Sequence, residues 1–173
     1  MKKRTLWLLL AGLALLFAVA GCNEKKSVAA GTTLKEPPDL QLQYTVDGQE
    51  AEIVVPSGNY EWYYDNGDGT RTGGIASGPH PLDLSKATPV ITQDAGLTQL
   101  EVVFSLIPDS YSVRCWPDSC LGNAQKYEND ASALAVSGNV INLPANGRGY
   151  IYELNAEWAD GSASYSFYVI PPA

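Results

Sequence analysis

Residues 150–169 read YIYELNAEWADGSASYSFYV, and large side chains stand at every second position on both sides of Asp160-Gly161. Tyr150, Tyr152, Leu154, Ala156 and Trp158 share one parity, while Ile151, Glu153, Asn155 and Glu157 share the other. Successive side chains of a strand point to opposite faces, so this alternation predicts a half-buried strand. Asp160-Gly161 supplies a two-residue turn able to take positive φ. Counting back from it pairs Trp158 with Ala163, Ala156 with Tyr165, Leu154 with Phe167 and Tyr152 with Val169. Ser162, Ser164 and Ser166 fall on the opposite face, and a slip of one residue would bury them.

The same test succeeds near the start of the domain. Leu40, Leu42, Tyr44 and Val46 alternate with Gln41, Gln43 and Thr45, and Asp47-Gly48 turns the chain. That turn sets Tyr44 opposite Ala51, Leu42 opposite Ile53 and Leu40 opposite Val55. Further strands are expected over 59–65, 71–76, 98–106, 110–116, 133–136 and 140–143. Helical periodicity is nearly absent, so there are no crossover helices for a parallel sheet, and an all-β, immunoglobulin/fibronectin-like antiparallel β-sandwich is predicted. Residues 77–93 hold three prolines and read as a long connection along one edge.

Upstream of residue 40 the chain changes character. Lys2, Lys3 and Arg4 precede an apolar run from Leu6 to Gly21, the charged and apolar regions of a secretory signal. At about 16 residues this run falls short of the ~20 that a spanning helix needs. Val19-Ala20-Gly21-Cys22 then resembles the lipobox of bacterial lipoproteins. The expectation is a signal helix over 1–21, cleavage between Gly21 and Cys22, acylation of Cys22, and membrane attachment through that lipid on the outer side. Residues 22–39 are polar and small and close with Pro37-Pro38. They read as a flexible linker of about 20–25 Å reach, leaving 40–173 as a single sandwich domain.

Removing the leader's three cations leaves 8 of the 11 basic side chains against 19 acidic ones, net −11. Such a polyanion is repelled by nucleic acid. With Cys22 assigned to lipid, Cys115 and Cys120 remain, and outside the cytoplasm a disulfide between them is the default expectation. Zinc would need more imidazole or thiolate ligands, and His80 is the one histidine, so no metal or other cofactor is expected. Asp65-Asn66-Gly67-Asp68-Gly69-Thr70 resembles part of a calcium loop, but with Gly69 at position six a tyrosine, Tyr64, stands where the first carboxylate belongs. A glycine-rich hairpin loop accounts for the same residues.

Motifs for metallopeptidase, serine hydrolase, phosphate-loop and dinucleotide chemistry are missing from the sequence. Glu153 and Glu157 share a face but lie about 13 Å apart along a strand, wider than glycosidase carboxylates and suited to a solvated face. The expectation is a non-enzymatic module that binds a ligand or an unidentified protein or cell-wall partner. Its candidate surface comprises His80, Tyr63, Trp116 and Tyr127, with carbohydrate stacked on exposed rings as the alternative and a hydrolase of unfamiliar type as the third choice.

Several stretches together resemble a known domain: Tyr60-Glu61-Trp62-x-Tyr64, Asn66 to Thr70, Gly78-Pro79-His80-Pro81-Leu82-Asp83, Ser112 to Trp116, Gly149 to Glu153, and Ala156-Glu157-Trp158. It is an extracytoplasmic domain of Gram-positive Firmicutes, found in small lipoproteins and at the outer end of BlaR/MecR-like membrane metallopeptidases. The resemblance implies sensing or binding at the cell surface and a role for His80 in shaping a loop or ligand site. The peptidase HExxH is not in this sequence, so the resemblance implies no peptidase activity.

Overall fold

The computed structural model describes residues 33–171 apart from 84, 87, 94 and 95. The expected leader, the Gly21–Cys22 cleavage site and the linker up to residue 32 lie outside the described residues. Twelve strands form two sheets packed face to face: β1 Leu40–Val46, β2 Gln49–Val55, β3 Ser57–Asp65, β4 Arg71–Ala76, β5 Val90–Thr92, β6 Gln99–Phe104, β7 Ser110–Pro117, β8 Ser132–Leu134, β9 Val136–Ser137, β10 Val140–Asn142, β11 Tyr150–Trp158 and β12 Gly161–Ile170. A five-stranded sheet runs β2-β1-β6-β10-β9 and a seven-stranded sheet runs β4-β3-β12-β11-β7-β8, with β5 beside the end of β12. This is the expected all-β sandwich. Its inward faces form one core that includes Leu40, Leu42, Trp62, Val113, Tyr152, Leu154, Tyr165 and Phe167.

The first hairpin has the predicted register, with Tyr44 opposite Ala51, Leu42 opposite Ile53 and Leu40 opposite Val55. The last hairpin keeps the predicted faces but not the predicted pairs. Ala156 meets Ala163, Leu154 meets Tyr165 and Tyr152 meets Phe167, a shift of two residues that leaves every parity unchanged. The turn is Ala159-Asp160, and Gly161 is the first residue of β12. A Cβ on Gly161 would stand 2.0 Å from the Glu61 carbonyl oxygen and 2.9 Å from Trp62 Cα, so this glycine serves a close strand approach rather than the turn.

Two connections depart from expectation. Within the presumed loop 77–93, β5 pairs in parallel with β12, Val90 opposite Tyr168, filling the edge where β3 stops. Between β7 and β8 the chain makes a turn at Asp118–Cys120 and a short helix, α1, at Ala124–Tyr127. The expected linker also ends earlier than residue 39. Pro38 is buried and its carbonyl accepts the Tyr165 hydroxyl at 2.5 Å, while the Leu34 carbonyl accepts the Trp62 indole N–H at 3.0 Å. Residues 33–39 are therefore laid onto the domain. No helix among the described residues is long and apolar enough to cross a membrane.

The expected Cys115–Cys120 disulfide is not formed; both thiols are free and buried. Alternation along β7 explains it. Cys115 points into the core between the sheets, whereas its neighbour Trp116 points to the other side. Cys120 packs with Trp116, so the seven-stranded sheet stands between the two sulfurs. Burial pushes the Cys115 thiol up to about 11, which keeps it protonated and unreactive.

A candidate binding surface on the outer face of the seven-stranded sheet

The strand registers set out this outer face row by row. Trp116, Ile151 and Tyr168 form one row, and Arg114, Glu153 and Ser166 the next. Beyond them come Ser112, Asn155 and the bulge at Ser164, then Ser110, Glu157, Ser162, Glu61 and Ile75 across five strands. The first row is roofed. Leu82, Trp116, Cys120 and Ile151 make a second buried cluster against Leu121, Tyr127 and Tyr168, closed by residues 118–131 and the 78–83 loop. The last rows are open.

Three of the four predicted surface residues meet under the roof. Trp116, expected to face solvent, is fully buried, and its indole N–H donates to the Tyr127 carbonyl at 2.8 Å. His80 lies edge-on to Trp116, with ring centres 5.6 Å apart. Its Nδ1 accepts the Leu82 N–H at 3.1 Å, and its buried Nε2 has no partner among the described residues. These contacts shape the 78–83 loop and set His80 against the roofed row rather than on the open half of the face. Tyr63 sits apart, near the β11–β12 turn. Its ring covers Gly73, where a Cβ would come within 2.3 Å, and its hydroxyl donates to Glu61 at 2.7 Å. That bond and the carboxylate charge raise the phenol above its ordinary range. The described rings therefore do not make the aromatic platform expected for sugar stacking.

Sequence reasoning missed the residue at the edge of the roof. Arg114 Nε donates to Glu153 at 2.5 Å, and the guanidinium lies over the Trp116 ring, 4.8 Å from its centre. The Glu153 side chain is only 5 % exposed and that of Arg114 39 %. Glu153 also accepts the Asn155 amide at 3.2 Å. The expectation of a solvated Glu153 was wrong, because Arg114 comes from a strand that alternation could not place beside β11. Glu157 remains exposed.

From Asn155 a groove of about 450 Å³ runs across the open rows, lined by Asn59, Glu61, Ile75, Glu157, Ser162 and Ser164. Its floor is held by the bulge between β3 and β12, where the Ser164 hydroxyl accepts the Asn59 amide at 3.0 Å. The 65–70 segment is a hairpin loop whose carboxylates are occupied locally: Asp65 accepts the Gly67 amide at 2.7 Å and Asp68 the Thr70 hydroxyl at 2.6 Å. The latter bonds hold the Asp68 carboxyl below its ordinary range.

Fold and surface together define a β-sandwich protein with one sheet face half roofed and half open. Compared with known proteins, the chain matches no protein-family model, no curated protein and no solved structure.

Proposed function

We propose that this chain is an extracytoplasmic lipoprotein, attached to the membrane through an acylated Cys22, whose sandwich binds a ligand or partner through the open half of the seven-stranded sheet and performs no catalysis. The observation that carries the binding surface is the groove that begins at Asn155, whose side-chain amide is bonded to Glu153 of the fixed Arg114–Glu153 pair. The groove is open and mainly polar, unlike the enclosed apolar pocket of a typical small-molecule site, so it suits a ligand held by convergent hydrogen bonds at the surface. Membrane attachment rests on the leader and the cysteine that follows it, and on the resemblance to outer domains of BlaR/MecR-like proteins.

Photo-crosslinking in intact cells tests the reading. A photoreactive side chain at Ser162, in the groove, is expected to give a discrete crosslinked species, whereas one at Val54, half-exposed on the opposite sheet, is expected to give none. The same yield from both positions would contradict it. Mass spectrometry tests the anchor, with a diacylated or triacylated Cys22 as the expected first residue and an intact leader as the contrary result.

A further inference from the structure

We infer that the open half of this face binds a neutral glycan, with the groove from Asn155 to Ile75 as its bed and Arg114, which shares a Glu153 oxygen with Asn155, as a fixed hydrogen-bond donor beside its near end. The inference rests on the binding reading above and names its ligand. The starting point is an expense. Glu153 lies on the side of the sheet away from the core, yet its carboxylate is taken out of water. An apolar pair of similar volume would commonly be at least as stable as a buried ion pair. What the pair provides is a guanidinium held in one orientation, clamped at Nε by Glu153 and stacked on Trp116. The N–H groups of its two terminal nitrogens make no hydrogen bond with a described residue and are ordered before any ligand arrives. Such ordering reduces the entropy that binding must offset.

Charge then selects among ligands. Arg114 is already balanced by Glu153, and Arg71, which shares a pocket with Glu61, is paired with Asp160; among the described residues the exposed carboxylates of Glu61 and Glu157 accept only hydroxyl hydrogens, from Tyr63 at 2.7 Å and Ser110 at 3.4 Å. An anionic ligand such as a uronate, a phosphate polymer or a lipid headgroup would face these two charges uncompensated. A neutral polyol has the reverse fit: its hydroxyls donate to Glu61 and Glu157 and accept from Arg114 and the Asn155 amide. Ile75, 74 % exposed at the groove's far wall, offers an apolar contact for the C–H face of a sugar ring. The groove from Glu157 to Ile75 crosses four strands, about 14 Å at ordinary strand spacing, and Arg114 stands two rows, about 13 Å, from Glu157 along the strands, so a ligand that meets both ends is an oligosaccharide rather than a single sugar. An extended peptide gains most from a free strand edge; the groove floor of β3, β12 and β11 is paired on both sides, and the free edge of β4 borders it only at the far wall, Ile75 and Ala76.

The test is calorimetric titration of the full chain in detergent with neutral tetrasaccharides of β-1,4-linked glucose, N-acetylglucosamine, mannose and galactose, and with tetragalacturonate as the charged counterpart. At least one neutral tetrasaccharide is expected to bind with Kd of about 10 µM to 1 mM, and tetragalacturonate about tenfold more weakly or worse. Arg114→Lys keeps a charge beside Glu153 but loses the fork, and Ser162→Trp fills the groove without touching the pair. Each is expected to weaken binding about tenfold or more while Tm moves by only a few degrees. The inference is overturned if no neutral tetrasaccharide binds at 10 mM, if tetragalacturonate binds more tightly, or if both variants bind like the parent. A crosslink from Ser162 that persists without glycan binding would remove this inference alone; loss of both would remove the binding surface as well.

Discussion

At the residue scale the chain's cysteines behave as core side chains. Cys115 and Cys120 occupy two cores on opposite sides of one sheet. The native protein is therefore expected to be inert to a thiol reagent, and the unfolded protein to expose two reactive thiols in addition to any at position 22. A disulfide between them would leave those two silent after unfolding. The raised Cys115 thiol also links stability to pH. Folding favours its protonated form, so the contribution is complete below its ordinary 9.0 and is lost as pH rises towards about 11. Tyr152 and Tyr165, raised by burial in the same core, add to the loss above pH 10. Thermal melts should thus fall steeply over pH 9–11, and a flat profile there would contradict the burial of these groups. Spacing in sequence suggested the disulfide, but which side of the sheet each sulfur occupies depends on the path after Pro117. The signal available was the neighbouring Trp116, whose parity is opposite to that of Cys115.

At the element scale, three buried tryptophans each fasten a connection to the seven-stranded sheet. Trp62 holds the Leu34 carbonyl of the entering chain, Trp158 the Leu106 carbonyl between β6 and β7, and Trp116 the Tyr127 carbonyl of the short helix. Trp62→Phe should cost about 1–2 kcal/mol through the lost ring volume and an unmet carbonyl, and should raise hydrogen exchange across residues 33–39 before elsewhere. Gly161→Ala should be costlier, about 3 kcal/mol by overpacking, since the new Cβ meets the β3 backbone; urea melts would measure it, and a change below 0.5 kcal/mol would disprove the close approach. Strands and faces were legible in the sequence because period-two alternation survives any even register shift. Turn position was not, since Asp160-Gly161 satisfies a turn equally well when glycine is needed by the next strand. The three-residue β5 and four-residue α1 are too short for periodicity to register.

At the scale of the molecule, two sheets build one core, and the outer face of the larger sheet is divided between a roofed and an open half. Arg114 and Glu153 mark the boundary, joining the second core to the groove. Arg114→Ala would leave a buried carboxylate unpaired, so a loss of about 2 kcal/mol in chemical melts is expected, and replacing both partners by leucine should recover most of it. The aromatic residues were legible as a class, but their roles were only partly so: Tyr63 is exposed as expected, whereas His80, Trp116 and Tyr127 proved to be roof supports, and the polar groups around the groove came from four strands whose lateral order no local pattern reveals. The most direct test of the binding surface compares retention on isolated cell wall of the full chain carrying Ser162→Trp with that of the chain carrying Val54→Trp. The account predicts that the first falls about tenfold or more below the unsubstituted protein and that the second is unchanged. Equal retention of the two would contradict it.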